Sequence, residues 1–312
     1  MSSYLLVRTC LTGRRQTELF LAAFTVSAFA AGCVGVFQFL TNKKDMTWVD
    51  KDLFSGLGLR VYSTFANPNV YGAYLLLAIP CAAAMALYAK NIIFKLLAAA
   101  AAVLLTVNLM LSYSRGCYLA LAVAALVFVL LTEKRLVVLF SAGLVVLPFI
   151  LPPTVINRLL SITNLSDSST EFRLYIWQGT LKMLKTFWLS GVGPGTEAFN
   201  TIYPFYAFNS ATAAHSHNLF LQIFSETGVA GLLVFFAVLA AFFRNQVCFM
   251  RRAPRRDKLV SAAMTAAVTG FLFQGLFDYV FYNFKVMLAF YIFLGLASAF
   301  TRTGPQEAAG RD

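Results

Sequence analysis

The only two histidines of the chain lie almost side by side, in the segment His215-Ser216-His217-Asn218. Histidine can accept or release a proton near neutral pH, so either residue could serve as a general acid or base. A His-x-His pair can also bind a metal ion, but the sequence offers no third ligand at a familiar spacing. The pair therefore predicts acid–base chemistry, and we expect no metal site.

Three arginines, Arg60, Arg115 and Arg173, lie in the segments that connect apolar runs. Arginine binds phosphate through two parallel hydrogen bonds and keeps its charge. On the helical wheel of a predicted helix over 171–188, Arg173 lies among apolar residues, which is costly unless the charge meets an anion. This pattern favours a functional role for Arg173, with an internal salt bridge as the alternative. Taken alone, Arg60 fits an interfacial arginine beside a capped helix start as well as it fits a functional residue. Arg115 fits an arginine that snorkels to the headgroups as well as it fits a functional residue.

Two turns accompany these arginines. Asn67-Pro68-Asn69 predicts the start of a helix at about residue 69, with Asn67 or Asn69 as its cap. The segment from Gly191 to Gly195 has backbone amides that could bind an anion, although such a segment is more often only a turn. It lacks the Gly-Lys-Ser/Thr ending of a phosphate-binding P-loop.

The composition indicates what kind of scaffold carries these residues. Of the 312 residues, 59% are hydrophobic and only 12% are charged, and the mean hydropathy is +0.73. A soluble domain typically has about 25% charged residues. An ordinary soluble enzyme and a disordered chain are therefore excluded, and an all-α, polytopic membrane bundle is expected.

Eight apolar runs are candidates for membrane-spanning helices, which need about 20 residues each. The runs show no period-2 alternation, so they predict helices and not barrel strands. The runs cover residues 17–40, 69–89, 95–113, 116–131, 136–151, 217–243, 259–277 and 286–300. We expect a single membrane domain over 1–312, with residues 152–216 as a long external loop that contains an interfacial helix.

The net charge of +12 reports the orientation of these spans. With the N-terminus inside, the inner segments hold 15 basic and 5 acidic residues, a net charge of +10, and the rest of the chain carries +2. This bias follows the positive-inside rule and predicts that both termini are inside. The charge does not require nucleic acid as a partner, and the arginines and histidines named above lie on the outer side.

Arginines and a histidine at the outer surface of a bundle favour a phosphorylated, lipid-linked substrate held at membrane depth. The implied reaction is attack by an acceptor hydroxyl, assisted by a histidine base, with a phosphate leaving group held by arginine. A transporter or flippase of a lipid-linked glycan, and a membrane scaffold, are the alternatives. A transporter favours charged residues along a path through the membrane midplane, and Glu226 is the one candidate for such a residue. The sequence fits equally well a structural Glu226 that is paired with a buried Gln or Arg.

These residues also carry a family resemblance. His217-Asn218, followed after nine residues by Gly228-x-x-Gly231, resembles the His-Asn-x9-Gly-x-x-Gly signature of the O-antigen ligase and O-antigen polymerase superfamily. Four further segments are similar to other hallmarks of the superfamily and occur in its order. They are Arg60 to Asn69, Ser114-Arg115-Gly116, Arg173 to Trp177, and Gly191 to Gly195.

The resemblance implies a metal-independent, cofactor-free, inverting glycosyltransferase of the integral-membrane GT-C type. It would act at the outer face of the cytoplasmic membrane, with an undecaprenyl-diphosphate glycan as donor and a glycan or lipid-glycan as acceptor, in making cell-envelope polysaccharide. Ligase and polymerase activities both fit. By position, Arg60, Arg115 and Arg173 would bind the diphosphate, His217 would activate the acceptor hydroxyl, and His215 would assist. The supporting residues would be Asn67, Asn69, Asn218, Glu226, Gly228 and Gly231.

Overall fold

The computed structural model describes residues 2–41, 59–133, 152–160 and 168–304, together with 137–138, 141–142 and 149. Within these ranges the chain is helical and contains no β-strand, as predicted. The helices are α1 (Ser2–Cys10), α2 (Arg14–Thr41), α3 (Pro68–Tyr88), α4 (Ile92–Leu111), α5 (Arg115–Thr132), α6 (Pro153–Leu160), α7 (Ser168–Phe187), α8 (Thr196–Ile202), α9 (Leu219–Met250), α10 (Arg255–Gln274) and α11 (Phe284–Arg302). A short 3₁₀ helix, Tyr203–Tyr206, follows α8.

Six of these helices are long and apolar enough to cross a membrane, namely α2, α3, α4, α5, α9 and α11. They correspond to six of the eight predicted spans. The predicted span 136–151 lies largely outside the described residues. The predicted span 259–277 corresponds to α10, which is helical but is not among the six. The orientation of the helices and the outer location of the 152–216 segment remain predictions.

Helix α10, like α3, is surrounded by the protein over most of its length. It packs against α3, α5, α9 and α11, and residues 260–268 are all buried. Gly270 lets α5 approach closely, since a Cβ atom there would lie 3.0 Å from the Ala120 carbonyl oxygen. A helix covered in this way needs no apolar surface for lipid, so it can carry Ser261 and Thr265 in its middle.

One end of the bundle collects the starts of α3, α5 and α9 and the end of α10. Asn67 caps α3, accepting hydrogen bonds from the Asn69 and Val70 amides at 2.8 and 3.3 Å, with Pro68 in the first turn, as the sequence predicts. Asn218 caps α9 in the same way. The Leu219 amide donates to the Gly275 carbonyl oxygen at 2.7 Å, which ties the start of α9 to the end of α10.

Helix α9 is broken at Gly228, whose backbone has φ +65° and ψ −171°. The turn that follows α7 is hydrogen-bonded into this break. The Val229 amide donates to the Trp188 carbonyl oxygen at 2.9 Å, and the Val192 amide donates to the Ser225 carbonyl oxygen at 2.7 Å. The break thus holds the end of α7 against the middle of α9.

This break corrects one prediction from the sequence. A single helix over 217–231 would place His217, Gly228 and Gly231 on one face, next to a neighbouring helix. The structure shows that His217 precedes the helix, with φ +50°, and that Gly228 is not helical. The close approach at Gly228 is made by the backbone at Leu189, because a Cβ atom on residue 228 would lie 2.0 Å from the Leu189 carbonyl oxygen.

We expect Gly228→Ala to destabilise the protein by about 2 kcal/mol or more, because it adds a steric clash to a strained positive φ. The matched control is Gly195→Ala, where φ is +93° but no atom lies within 4 Å of the added Cβ. Thermal unfolding of the purified variants in detergent measures the difference. Equal losses of stability in the two variants would contradict the docking of α7 into the break.

Candidate active site

His217 is held by a buried carboxylate. Its Nδ1 atom lies 3.1 Å from Oδ1 of Asp278, which follows the end of α10 and has a side chain only 6% exposed. This bond occupies Nδ1, so proton exchange with a substrate falls to Nε2. His217 has a positive φ, which is uncommon for a residue other than glycine and often marks a functional site.

Asp278 links His217 to Arg60 through a continuous set of hydrogen bonds. The Asn69 Nδ2 atom donates to Asp278 Oδ2 at 2.9 Å, and Arg60 Nη2 donates to Asn69 Oδ1 at 3.0 Å. The Arg60 Nε atom donates to the Ser112 carbonyl oxygen at 2.9 Å. Residues from the segment before α3, the start of α3, the end of α10 and the start of α9 therefore form one network.

Arg173, near the start of α7, contributes its charge to this network. Burial alone would raise the pKa of Asp278, but the hydrogen bond and charge of His217, then the charges of Arg173 and His215, bring it well below its ordinary value. Asp278 is therefore a carboxylate at neutral pH. Arg173 is half-buried, consistent with its predicted position away from the polar stripe of α7.

His215 packs between aromatic rings and is neutral. Its ring stacks on Tyr282, with centroids 5.1 Å apart, and lies against His217, with centroids 4.2 Å apart. Its Nδ1 atom accepts a hydrogen bond from the His217 amide at 3.2 Å. Burial, followed by the charges of His217 and Arg173, lowers the pKa of His215 to about 4, although Asp278 opposes this change. His215 therefore supports the backbone of His217 as a neutral acceptor.

The lowered pKa of His215 predicts a loss of stability in acid. The unfolded chain takes up a proton near pH 6.5, whereas the folded protein resists protonation until about pH 4. This contribution is complete above pH 6.5 and is lost as the pH falls towards 4. We expect the melting temperature to fall more steeply across this window in the wild type than in His215→Phe, which keeps a ring on Tyr282. If the melting temperature fell equally steeply with pH in the two proteins, His215 would not be the group whose lowered pKa reduces the stability in acid.

Glu226 has two hydrogen-bond partners, and one of them is a buried Gln of the kind that the sequence leaves open as its partner. Its Oε1 atom accepts from Gln222 Nε2 and from the Tyr279 hydroxyl, both at 3.0 Å. Gln222 Oε1 in turn accepts from the Ser216 amide at 2.7 Å. Glu226 is therefore the partner of a buried Gln, and it supports the loop that carries the two histidines.

Arg115 begins α5 at the same end of the bundle and is half-buried. The next residue, Gly116, packs directly on the end of α10. A Cβ atom on Gly116 would lie 2.3 Å from Gln274 Oε1 and 3.4 Å from the Phe277 Cβ atom. This packing places Arg115 beside the residues that lead into Asp278.

The glycine turn before α8 has a structural explanation. A Cβ atom on Gly191 would lie 2.7 Å from the Glu226 carbonyl carbon and from the Gly228 amide nitrogen. Gly191 therefore permits the contact between the turn and the break in α9. This contact accounts for the turn that the sequence predicts at Gly191.

The ligand atoms of His215, His217 and Asp278 lie within 4.8 Å of one another, so this group could hold a metal ion. The third ligand escapes the sequence because Asp278 is far from the histidines along the chain. In the structure, His215, His217 and Asp278 form hydrogen bonds with one another and with other protein groups. Asp278 accepts from Asn69 and from the Tyr279 amide, and His215 accepts from the His217 amide.

Sequence reasoning missed Asp278, Tyr279 and Tyr282, which join or surround the histidines. One signal was present, since Asp278 directly follows the predicted span 259–277, at the end where His217 is expected. In the charge balance, Asp278 is only one of the acidic residues outside the inner segments, so the balance alone does not connect it with the histidines.

Comparison with protein families gives a match to the family described as O-antigen ligase, over residues 100–236. The matched region includes Arg115, Arg173, His215 and His217, whereas Arg60 and Asp278 lie outside it. A search of curated proteins returned no match. The family match confirms the resemblance that the His217-Asn218 signature indicates.

Proposed function

We propose that this chain, which matches the O-antigen ligase family over residues 100–236, transfers a glycan from an undecaprenyl-diphosphate donor to an acceptor hydroxyl. The family supports glycosyltransferase activity of this general kind. The donor, and a site at the outer face of the cytoplasmic membrane, are our proposal. It is supported chiefly by the network that connects Arg60 to His217 through Asn69 and Asp278, with the charge of Arg173 beside it.

In the proposed reaction, the acceptor oxygen attacks the anomeric carbon of the donor sugar. A new C–O bond forms as the bond between this carbon and the diphosphate oxygen breaks, and undecaprenyl diphosphate leaves. The hydroxyl proton passes to Nε2 of His217, and the carboxylate of Asp278 stabilises the imidazolium that forms. A single displacement of this kind inverts the anomeric configuration.

The arginines would compensate the charge that develops on the leaving diphosphate. Arg60 is oriented by its bonds to the Ser112 carbonyl oxygen and to Asn69, so its position is fixed before a substrate arrives. Arg173 comes from a separate helix and approaches the same network, and Arg115 lies at the same end of the bundle. Preorganised positive groups of this kind stabilise a transition state without having to reorganise during the reaction.

The transporter alternative depends on Glu226 as a charge within a span. The hydrogen bonds of Glu226 to Gln222 and Tyr279 instead connect it to the loop that carries the histidines. This arrangement favours the enzyme, and the two functions differ in whether a glycosidic bond forms.

Purified protein in proteoliposomes tests the proposal, with a glycan on undecaprenyl diphosphate as donor. A ladder of lengthening products from donor alone would identify a polymerase, and product only after a second acceptor is added would identify a ligase. Transfer should continue in EDTA, because in the proposed mechanism the arginines, and not a metal ion, compensate the charge of the leaving diphosphate. Activity lost on chelation and restored by a divalent cation would contradict the metal-independent mechanism.

We expect Arg173→Gln to lower kcat/KM for the donor by roughly 10²–10³-fold, because a charge next to the diphosphate is lost. Lys182→Gln is the matched control, since it removes a charge from the exposed face of the same helix. Initial rates of transfer at several donor concentrations measure the effect. An Arg173→Gln protein with the activity of the control would exclude Arg173 from the donor site.

A further inference from the structure

A cavity of about 410 Å³ lies at the end of the bundle remote from His217. Its lining includes Tyr88 at the end of α3, Phe94 in the first turn of α4 and Arg256 in the first turn of α10. Helix α3 begins at the candidate active site and α10 ends there, so these residues lie at the opposite end. The cavity is therefore separate from the proposed transferase site.

The mouth of this cavity is basic. Lys90 is exposed, and the Arg256 guanidinium lies over the Tyr88 ring, 4.8 Å from its centroid. Arg256 pairs with Glu18 at 3.1 Å, but Arg14 pairs with the same carboxylate, also at 3.1 Å. Arg14 also pairs with Asp257, so the two arginines and two acids of this cluster balance in charge. The excess positive charge at the mouth is that of the exposed Lys90, and the half-exposed Arg256 guanidinium adds hydrogen-bond donors to it.

The inner wall of the cavity is apolar and continues onto a surface that suits lipid. Met85, Phe94 and Ala98 line it. On α4, one of the six candidate spans, Ile92 and Ile93 are 63% and 64% exposed. A spanning helix with such an exposed surface faces acyl chains in a bilayer. The cavity thus combines a basic mouth with a wall that is continuous with the lipid-facing surface.

We propose that this cavity binds an anionic phospholipid. Lys90 and Arg256 hold the headgroup phosphate, and an acyl chain lies along Phe94 and Ala98. Arginine offers paired donors to phosphate and lysine a compact charge, and basic pockets between spanning helices are suited to anionic headgroups. A zwitterionic lipid is disfavoured because its own ammonium group is repelled. The bound lipid connects the start of α4 to the start of α10.

The test uses native mass spectrometry of delipidated protein that has been given equal amounts of phosphatidylglycerol and phosphatidylcholine. We expect the wild type to retain phosphatidylglycerol preferentially. We expect the double variant Lys90→Gln/Arg256→Gln to lose this preference by roughly tenfold. Arg252→Gln is the matched control, because Arg252 is an exposed charge at the same end of the bundle but does not line the cavity. The control should behave as the wild type.

Three outcomes would overturn the proposal. The wild type could retain both lipids equally, the double variant could keep the preference, or glycerol 3-phosphate could displace phosphatidylglycerol at similar concentration, which would indicate a site for free phosphate. If the double variant does not fold, Lys90→Gln alone decides, since Lys90 is exposed. We expect it to weaken the preference by roughly threefold or more, and an unchanged preference would overturn the proposal.

Discussion

Replacement of His217 by Asn is expected to lower kcat for glycan transfer by roughly 10²–10⁴-fold, the usual contribution of a positioned general base. Asn is chosen because the backbone of His217 has φ +50°, a conformation that Asn tolerates better than most residues. The loss therefore reports the missing imidazole and not a refolded loop. Single-turnover rates in proteoliposomes, with saturating donor and acceptor, measure the chemical step.

The thermal stability of His217→Asn serves as its control. The bonds that shape this loop, from the Ser216 amide to Gln222 and from the Ser216 hydroxyl to the Asn218 carbonyl oxygen, do not involve the His217 side chain. The melting temperature should therefore stay within a few degrees of the wild type. A well-folded variant that retains wild-type transfer would exclude His217 as the base.

Asp278→Asn is expected to lower kcat by roughly 10²-fold or more, with KM for the donor changed by no more than about threefold. The Asn69 side chain and the Tyr279 amide both donate to the Asp278 oxygens. A side-chain amide at 278 must turn its NH₂ group towards one of these donors or towards His217, so it cannot satisfy all three. The imidazole then loses both its orientation and the charge that stabilises its protonated form.

The division between kcat and KM distinguishes this role from a structural one. A residue that only holds the fold together would change the stability and the affinity for donor together. Asp278→Glu keeps the charge, and we expect it to recover part of the lost rate. If Asp278→Asn changed KM alone, Asp278 would be a donor-binding group and not a residue that positions His217.

The parts of the fold that depend on local chemistry could be predicted from the sequence. The Asn67-Pro68-Asn69 segment specifies the start of α3 because an Asn cap followed by Pro satisfies the first free amides of a helix. Arg173 could be identified from the helical wheel alone, because a charge among apolar residues needs a nearby anion, and Asp278 provides one in the structure.

Other features depend on contacts between distant segments and could not be predicted in this way. Asp278 acquires its role only when the end of α10 meets the start of α9, as the bond from the Leu219 amide to the Gly275 carbonyl oxygen shows. The break at Gly228 depends on the backbone after α7, which supplies the partner of the Val229 amide. A helical wheel assumes one unbroken helix over 217–231, and so it places His217 on the same helix face as Gly228. In the structure His217 precedes the helix and Gly228 interrupts it.

The status of α10 has a similar explanation. Its apolar residues predict a membrane span. Its polar side chains can be buried in the bundle only because residues of neighbouring helices form hydrogen bonds with them. Ser261 donates to Gln246 of α9 at 2.6 Å, and Gln246 donates to the Ala297 carbonyl oxygen of α11 at 3.2 Å. Polar side chains of α10 and α9 are therefore satisfied by neighbours that only the folded bundle provides.

In the proposed reaction, the network of His217, Asp278 and Arg173 promotes formation of a glycosidic bond as the bond between the donor sugar and the lipid diphosphate breaks. The most direct measurement follows one donor, labelled in both its glycan and its lipid, in proteoliposomes that contain the wild type or His217→Asn. We expect the wild type to release undecaprenyl diphosphate in equal amount to the new glycosidic bonds, and His217→Asn to slow both by roughly 10²-fold or more. Movement of intact donor across the bilayer without a new bond, by both proteins equally, would contradict this expectation.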